Sequence, residues 1–155
     1  MHLNTITEVT LDAYLNAYFY LPNLPIRYQS ACVITAWNPN GVAVGARKNR
    51  QRSRLLVNTH KHRLMSRGYG GNKEMTYREF SVLLKGDRSQ ALHLMQCYHQ
   101  KGVYYINKGK IELLLSDGRS FELTGTAKSR VFKRKRLPRL NKAQYFSGFD
   151  RPRNA

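Results

Sequence analysis

Chemistry in this chain has few side chains to draw on. The acids are Glu8, Asp12, Glu74, Glu79, Asp87, Glu112, Asp117, Glu122 and Asp150. A two-metal phosphodiesterase centre needs several carboxylates converging on ions a few ångströms apart. Asp87 and Asp117 already serve local structure, as a helix cap and a turn residue. Glu74, Glu79 and Glu112 could converge if their strands are neighbours, while Glu79 and Glu112 equally suit solvent-facing strand positions. His60 and His62 stand two apart, which on a helix points them to different faces and is poor spacing for one metal. Set among Arg and Lys, they could act separately as acid or base near a phosphate. His93 and His99, six apart, also make a poor metal pair. A nuclease or nickase built on Glu79, His60 and His62, with Mg²⁺ as its cofactor, is therefore one expectation. Polar surface histidines are the plainer one. No cofactor is expected otherwise, and no resident metal.

The other chemistry is charge. The 155 residues hold 27 Lys plus Arg against 9 Asp plus Glu, a net charge of +18. Solubility needs a net charge of only about 2–8. The excess is a statement about partners: DNA, RNA, an acidic protein or an anionic surface. It is also unevenly placed. Gly41 to Lys73 contains Arg47, Lys48, Arg50, Arg52, Arg54, Lys61, Arg63, Arg67 and Lys73 and no acid. Arg50 and Arg54 form an uncompensated i, i+4 pair of like charges. A second block, Lys133, Arg134, Lys135 and Arg136, lies in a tail whose one acid is Asp150. Aromatic residues accompany both blocks, as suits unpaired bases that stack while cations hold phosphates. No zinc-finger spacing, GK[ST] phosphate loop or complete RNA-recognition string is present. Backbone-dominated nucleic-acid binding of weak or no sequence specificity is the first expectation. A basic inhibitor docking on an acidic protein is another.

These residues need a scaffold. The length suits one domain and an ordinary core. Leu11, Tyr14, Leu15, Tyr18 and Phe19 make an apolar stripe at helical spacing, predicting a helix over 10–20 with Thr10 as its cap. Residues 31–37 read as a buried strand ending in the turn Asn38-Pro39-Asn40-Gly41. Residues 47–67 favour a helix, which Gly68-Tyr69-Gly70-Gly71 would end. A strand over 79–85 follows, then a helix capped by Asp87 with Gln90 completing a capping box. Residues 103–106, 111–115 and 120–123, separated by Asn107-Lys108-Gly109 and Ser116-Asp117-Gly118, predict an antiparallel meander. The expected architecture is a small α+β domain over 1–125, its sheet antiparallel or mixed, with two or three packed helices. A basic and partly disordered arm over 126–155 would follow. Cys32 and Cys97 lie apart and suit free thiols in a reducing compartment. With no secretory leader and no membrane span, a cytoplasmic location is expected.

Four segments, taken in order, resemble a bacterial family, the domain of unknown function 3293. They are Ile34-Thr35-Ala36-Trp37-Asn38-Pro39, Asn49-Arg50-Gln51-Arg52 with Leu55, Glu79-Phe80-Ser81-Val82, and His99-Gln100-Lys101-Gly102-Val103-Tyr104-Tyr105. The resemblance covers about residues 28 to 115. The chain has His99 and Gly102 where the family tends to have Gly and Ala, and its basic tail looks like an addition. The resemblance implies a β-α-β-α-β-β arrangement and carries over no activity. It singles out Asn38, Asn49, Glu79, Ser81 and Gln100 as polar positions beside strand ends and helix starts. If they cluster, they make a small polar pocket; otherwise they cap turns and satisfy backbone groups.

Overall fold

The computed structural model describes residues 6–22 and 30–139. Helix α1 spans Glu8–Leu15, and the Thr7 hydroxyl caps it by accepting from the Thr10 amide. The helix expected over 10–20 is therefore displaced and cut short. Tyr18–Tyr20 is strand β1, with Phe19 buried and its neighbours half-buried. Three consecutive aromatics fit a pleated, half-buried surface, and tertiary pairing overrides the helical spacing of the stripe.

Strand β2, Ala31–Ile34, is buried at all four positions. The turn after it is as the residues demand: Asn38, Asn40 and Gly41 have φ of 46°, 57° and 73°. Helix α2 then runs Gly45–Thr59, and a short 3-10 turn covers Lys61–Arg63. Strand β3 begins at Leu64 and continues to Gly71. The helix expected over 47–67 thus ends well short of its expected limit, and the glycines belong to a strand. Their role is close approach: a β-carbon on Gly68 would run into the Tyr20 carbonyl oxygen, and one on Gly71 into that of Tyr77.

Strand β4, Arg78–Lys85, leads to α3, Arg88–Cys97, which opens with the complete Asp87–Gln90 capping box. The meander follows as β5 (Gly102–Asn107), β6 (Lys110–Leu115) and β7 (Ser120–Glu122). Lys108 and Gly109, with φ of 51° and 77°, make the turn between β5 and β6. A one-turn helix α4, Ala127–Arg130, and strand β8, Val131–Phe132, complete the described elements.

All eight strands form one mixed sheet in the order β7-β6-β5-β2-β4-β3-β1-β8. Neighbours are antiparallel except β1 and β8, which run parallel. Side-chain alternation gives the sheet two buried faces. On one, Cys32, Ile34, Phe80, Val82 and Leu84 meet Leu56 and Val57 of α2 and Leu94 and Met95 of α3. On the other, Val33, Leu83, Tyr104 and Leu113 meet Phe19 and the apolar side of α1.

The sheet does not finish at Gly125. Ala127 and Arg130 are buried. The Arg130 guanidinium donates to the carbonyls of Leu15 and Ala17, each at 3.1 Å, and to the Thr124 carbonyl and hydroxyl. One of the tail's basic residues is therefore an internal tie, and residues 127–132 of the segment expected as an arm are built into the fold. Residues 140–155 of that arm lie outside the described residues.

Candidate functional site

Helix α2 shows why its apolar stripe is so narrow. Its buried side carries Asn49 and Ser53, both fully buried, beside Leu56 and Val57. These polar groups hold the backbone just after β2. Ser53 Oγ accepts from the Trp37 indole at 3.0 Å, and Arg52 donates to the carbonyls of Ala36 and Tyr98. From the other side Gln100 Nε2 donates to the carbonyls of Trp37 (3.0 Å) and Tyr98 (3.1 Å). The 36–38 turn is thus clamped by side chains from α2 and from the start of the meander.

The clamp sets the Asn38 amide. The Asn38 backbone N–H donates to Asn49 Oδ1 at 3.0 Å, which turns Asn49 Nδ2 toward Asn38 Oδ1, again at 3.0 Å. A backbone amide can only donate, so both side-chain amide orientations follow from it. Asn38 Nδ2 is left to face Glu79 Oε1 at 3.5 Å. Tyr77 Oη donates to the same oxygen at 2.9 Å. Tyr77 and Glu79 are two residues apart in an extended segment and so share a side. Glu79 Oε2 accepts no hydrogen bond among the described residues. Burial holds the Glu79 carboxyl above its usual range, against the downward pull of the Tyr77 and Asn38 hydrogen bonds.

Glu79 lines a cavity of about 550 Å³ on the α1 face of the sheet. Val9, Thr10, Ala13 and Tyr14 of α1 roof it; Phe19, Val33, Ser81 and Tyr104 form its floor. Phe19 meets the Tyr104 ring edge-on at 4.8 Å between centroids, and Tyr104 Oη donates to the Tyr14 carbonyl at 2.7 Å. Burial pushes the Tyr14 phenol up to about 12. Ser81 Oγ, in the floor, donates back to the Glu79 carbonyl at 3.0 Å. The arrangement offers one carboxylate with a free oxygen, aromatic walls and side-chain amides from Asn38 and Gln100 at one end.

Of the expected polar pocket, Asn38, Glu79, Ser81 and Gln100 line this cavity, and Asn49 stands behind Asn38. The expected catalytic set is not assembled. His60 and His62 follow α2 on the opposite face from Glu79. Arg63 donates to His60 Nδ1 at 3.0 Å, so Nε2 carries the proton and lies 3.1 Å from Tyr98 Oη. Burial, then the Arg63 guanidinium, hold His60 below its usual range. His62 is exposed. Among the described residues no three His, Cys, Asp or Glu converge as metal ligands would.

The basic residues divide. Arg52 is consumed in the clamp, Arg63 is half-buried against His60, and Arg50 is half-buried. Arg47, Lys48, Arg54, Lys61 and Arg67 are exposed. So are Lys133, Arg134 and Arg136, while the Lys135 ammonium lies over the Phe132 ring at 4.6 Å.

Sequence reasoning missed Tyr14, Tyr77, Tyr104 and Lys101 as cavity residues. Only Tyr77 left a local signal, its two-residue spacing from Glu79. Tyr14 and Tyr104 come together across 90 residues of sequence, one on α1 and one on β5.

No curated protein and no solved structure matches the chain. The family model matches from the end of β2 to the start of β5, which takes in the clamp, Asn38, Asn49, Glu79, Ser81 and Gln100 but neither α1 nor the basic tail. Through these residues, 34–103, the chain is similar to the family described as protein of unknown function, DUF3293.

Proposed function

We propose that this protein binds nucleic acid through phosphate contacts from the exposed side of α2 and the segment that follows β8. One observation carries the reading. Arg47, Lys48, Arg54, Lys61 and Arg67 are exposed in a stretch, Gly41 to Lys73, that holds no acid. The salt bridges among the described residues, Arg88–Glu112, Lys110–Glu122 and Arg119–Asp117, leave all five out. Uncompensated cations on one element repel each other, and a polyanion relieves that repulsion with release of its counterions. The second block, 133–136, directly follows the edge strand β8, and Arg67 lies on β3, two strands away in the sheet. Contacts of this kind hold the backbone and read little sequence.

The nuclease reading has less support, because Glu79 stands across the sheet from His60 and His62. The test is binding of labelled single- and double-stranded DNA and RNA at two salt concentrations, followed by a denaturing gel. Affinity should fall steeply with salt and the strands should stay intact. Shortened strands would move cleavage to first place. Absent or salt-insensitive binding would reject the reading in favour of an acidic protein partner.

A further inference from the structure

We propose that the cavity roofed by α1 is a binding site for a small organic cation, an ammonium or guanidinium group on an apolar body, with the Glu79 carboxylate as its counter-ion. The first reason is a missing partner. The chain has 27 Lys and Arg, yet no salt bridge among the described residues reaches Glu79. Its two hydrogen bonds both fall on Oε1, which leaves Oε2 open to the cavity. Withdrawing a carboxylate from water without a cation is costly, and a ligand that brings the cation offsets the cost.

The walls point to the same class. Tyr14, Phe19 and Tyr104 line the cavity, and aromatic rings favour cations and apolar bodies alike. Its volume suits a small molecule. The roof helix, Glu8–Leu15, carries Glu8 and Asp12 and no Lys or Arg, in a chain that is otherwise strongly positive. Lys101 is the one cation among the lining residues. It lies at the rim, where a β-carbon on Gly41 would come within 3.2 Å of its Nζ. A metal ion would need further ligands of the kind that do not converge here. An anion would meet Glu79 unshielded.

This site is on the opposite sheet face from α2 and does not depend on nucleic-acid binding. Titration calorimetry on the full chain, with phenethylammonium and agmatine as probes, tests it. Phenethyl alcohol and phenylacetate are the neutral and anionic controls. At least one cation should bind, both controls should bind about tenfold more weakly or not at all, and Glu79→Gln should lose about tenfold in affinity. Gln keeps an oxygen for Tyr77 and Asn38 and has the same shape, so its fold should survive. Should it not, Ala13→Trp, at an exposed residue that itself lines the cavity, fills the space under the roof helix and should abolish binding. Both variants should still bind nucleic acid if the wild type does. Equal cation binding by wild type and Glu79→Gln, equal or tighter binding of a control, or no binding of either cation at millimolar concentration would overturn the proposal.

Discussion

Asn49 and Asn38 hold each other by two 3.0 Å hydrogen bonds, one from a backbone amide and one between side-chain amides. Because the first fixes the direction of the second, a fully buried residue of α2 decides which atom of Asn38 is presented to Glu79. Replacing Asn49 by Ala would orphan the Asn38 amide and open a void in α2's packing. Urea unfolding of Asn49→Ala should show a loss of about 1–3 kcal/mol. Asn49→Asp keeps the acceptor for the Asn38 amide but meets Asn38 Oδ1 with a second acceptor, so it should also be destabilised.

Glu79 should make the protein less stable as pH rises. Its carboxyl takes up protons more readily when folded than when unfolded, because burial raises it while the Tyr77 and Asn38 hydrogen bonds only partly oppose that shift. Between its unfolded and folded values the native state binds more protons, so stability falls with rising pH there and the penalty is complete above the folded value. The phenols of Tyr77, Tyr14 and Tyr104 and the ammonium of Lys101 share the cavity, as does no other carboxylate among the lining residues. Urea midpoints measured from about pH 4 upward should fall across this window in wild type. In Glu79→Gln that component should vanish, leaving the variant more stable than wild type at neutral pH.

Two arginines of α2 should separate binding from folding. Arg54 is exposed, whereas Arg52 donates to two backbone carbonyls and burial lowers its proton affinity. Changing Arg47 and Arg54 together to Gln should leave the melting temperature nearly unchanged. It should weaken nucleic-acid binding and reduce the salt slope by about 0.9 for each duplex phosphate that is no longer neutralised. Arg52→Gln should do the reverse, costing about 1–3 kcal/mol of stability in thermal unfolding with little change in slope.

Arg130 should behave as a core residue despite its charge. It is 7% exposed and ties the end of α1 to the segment after β7. Arg130→Gln removes most of these charge-assisted bonds and should cost about 3 kcal/mol. Ending the chain at Gly125 should destabilise it further, because β8 goes as well, and chemical denaturation would read both effects.

What could be read in the sequence was written locally. Lys108-Gly109 and the Asp87–Gln90 box specify their turn and cap within a few residues, and both stand as expected. A sheet, antiparallel or mixed, with helices packed on it was expected, and the one parallel pair, β1 with β8, makes it mixed. What failed was long-range. Tyr18 and Phe19 complete a helical stripe with Leu11, Tyr14 and Leu15, yet β3 claims them as its partner strand. Gly68 and Gly71 look like a helix stop until Tyr20 and Tyr77 are seen pressing against them. The polar cluster of Asn38, Asn49, Glu79, Ser81 and Gln100 was legible only through the family resemblance, since its members meet from separate segments. No spacing along the chain could have shown that His60 and Glu79 are on opposite faces.

Strand β8 has a consequence for solubility that is independent of any ligand. It covers one flank of β1 with only two residues, and four consecutive cations follow it at once: Lys133, Arg134, Lys135 and Arg136. A very short terminal strand trailed by like charges is poor docking material for the ladder of another molecule. The same block proposed to hold phosphates therefore also guards the sheet against edge-to-edge association. Chains whose synthesis stops before residue 131 would present β1 bare, and they should self-associate through it.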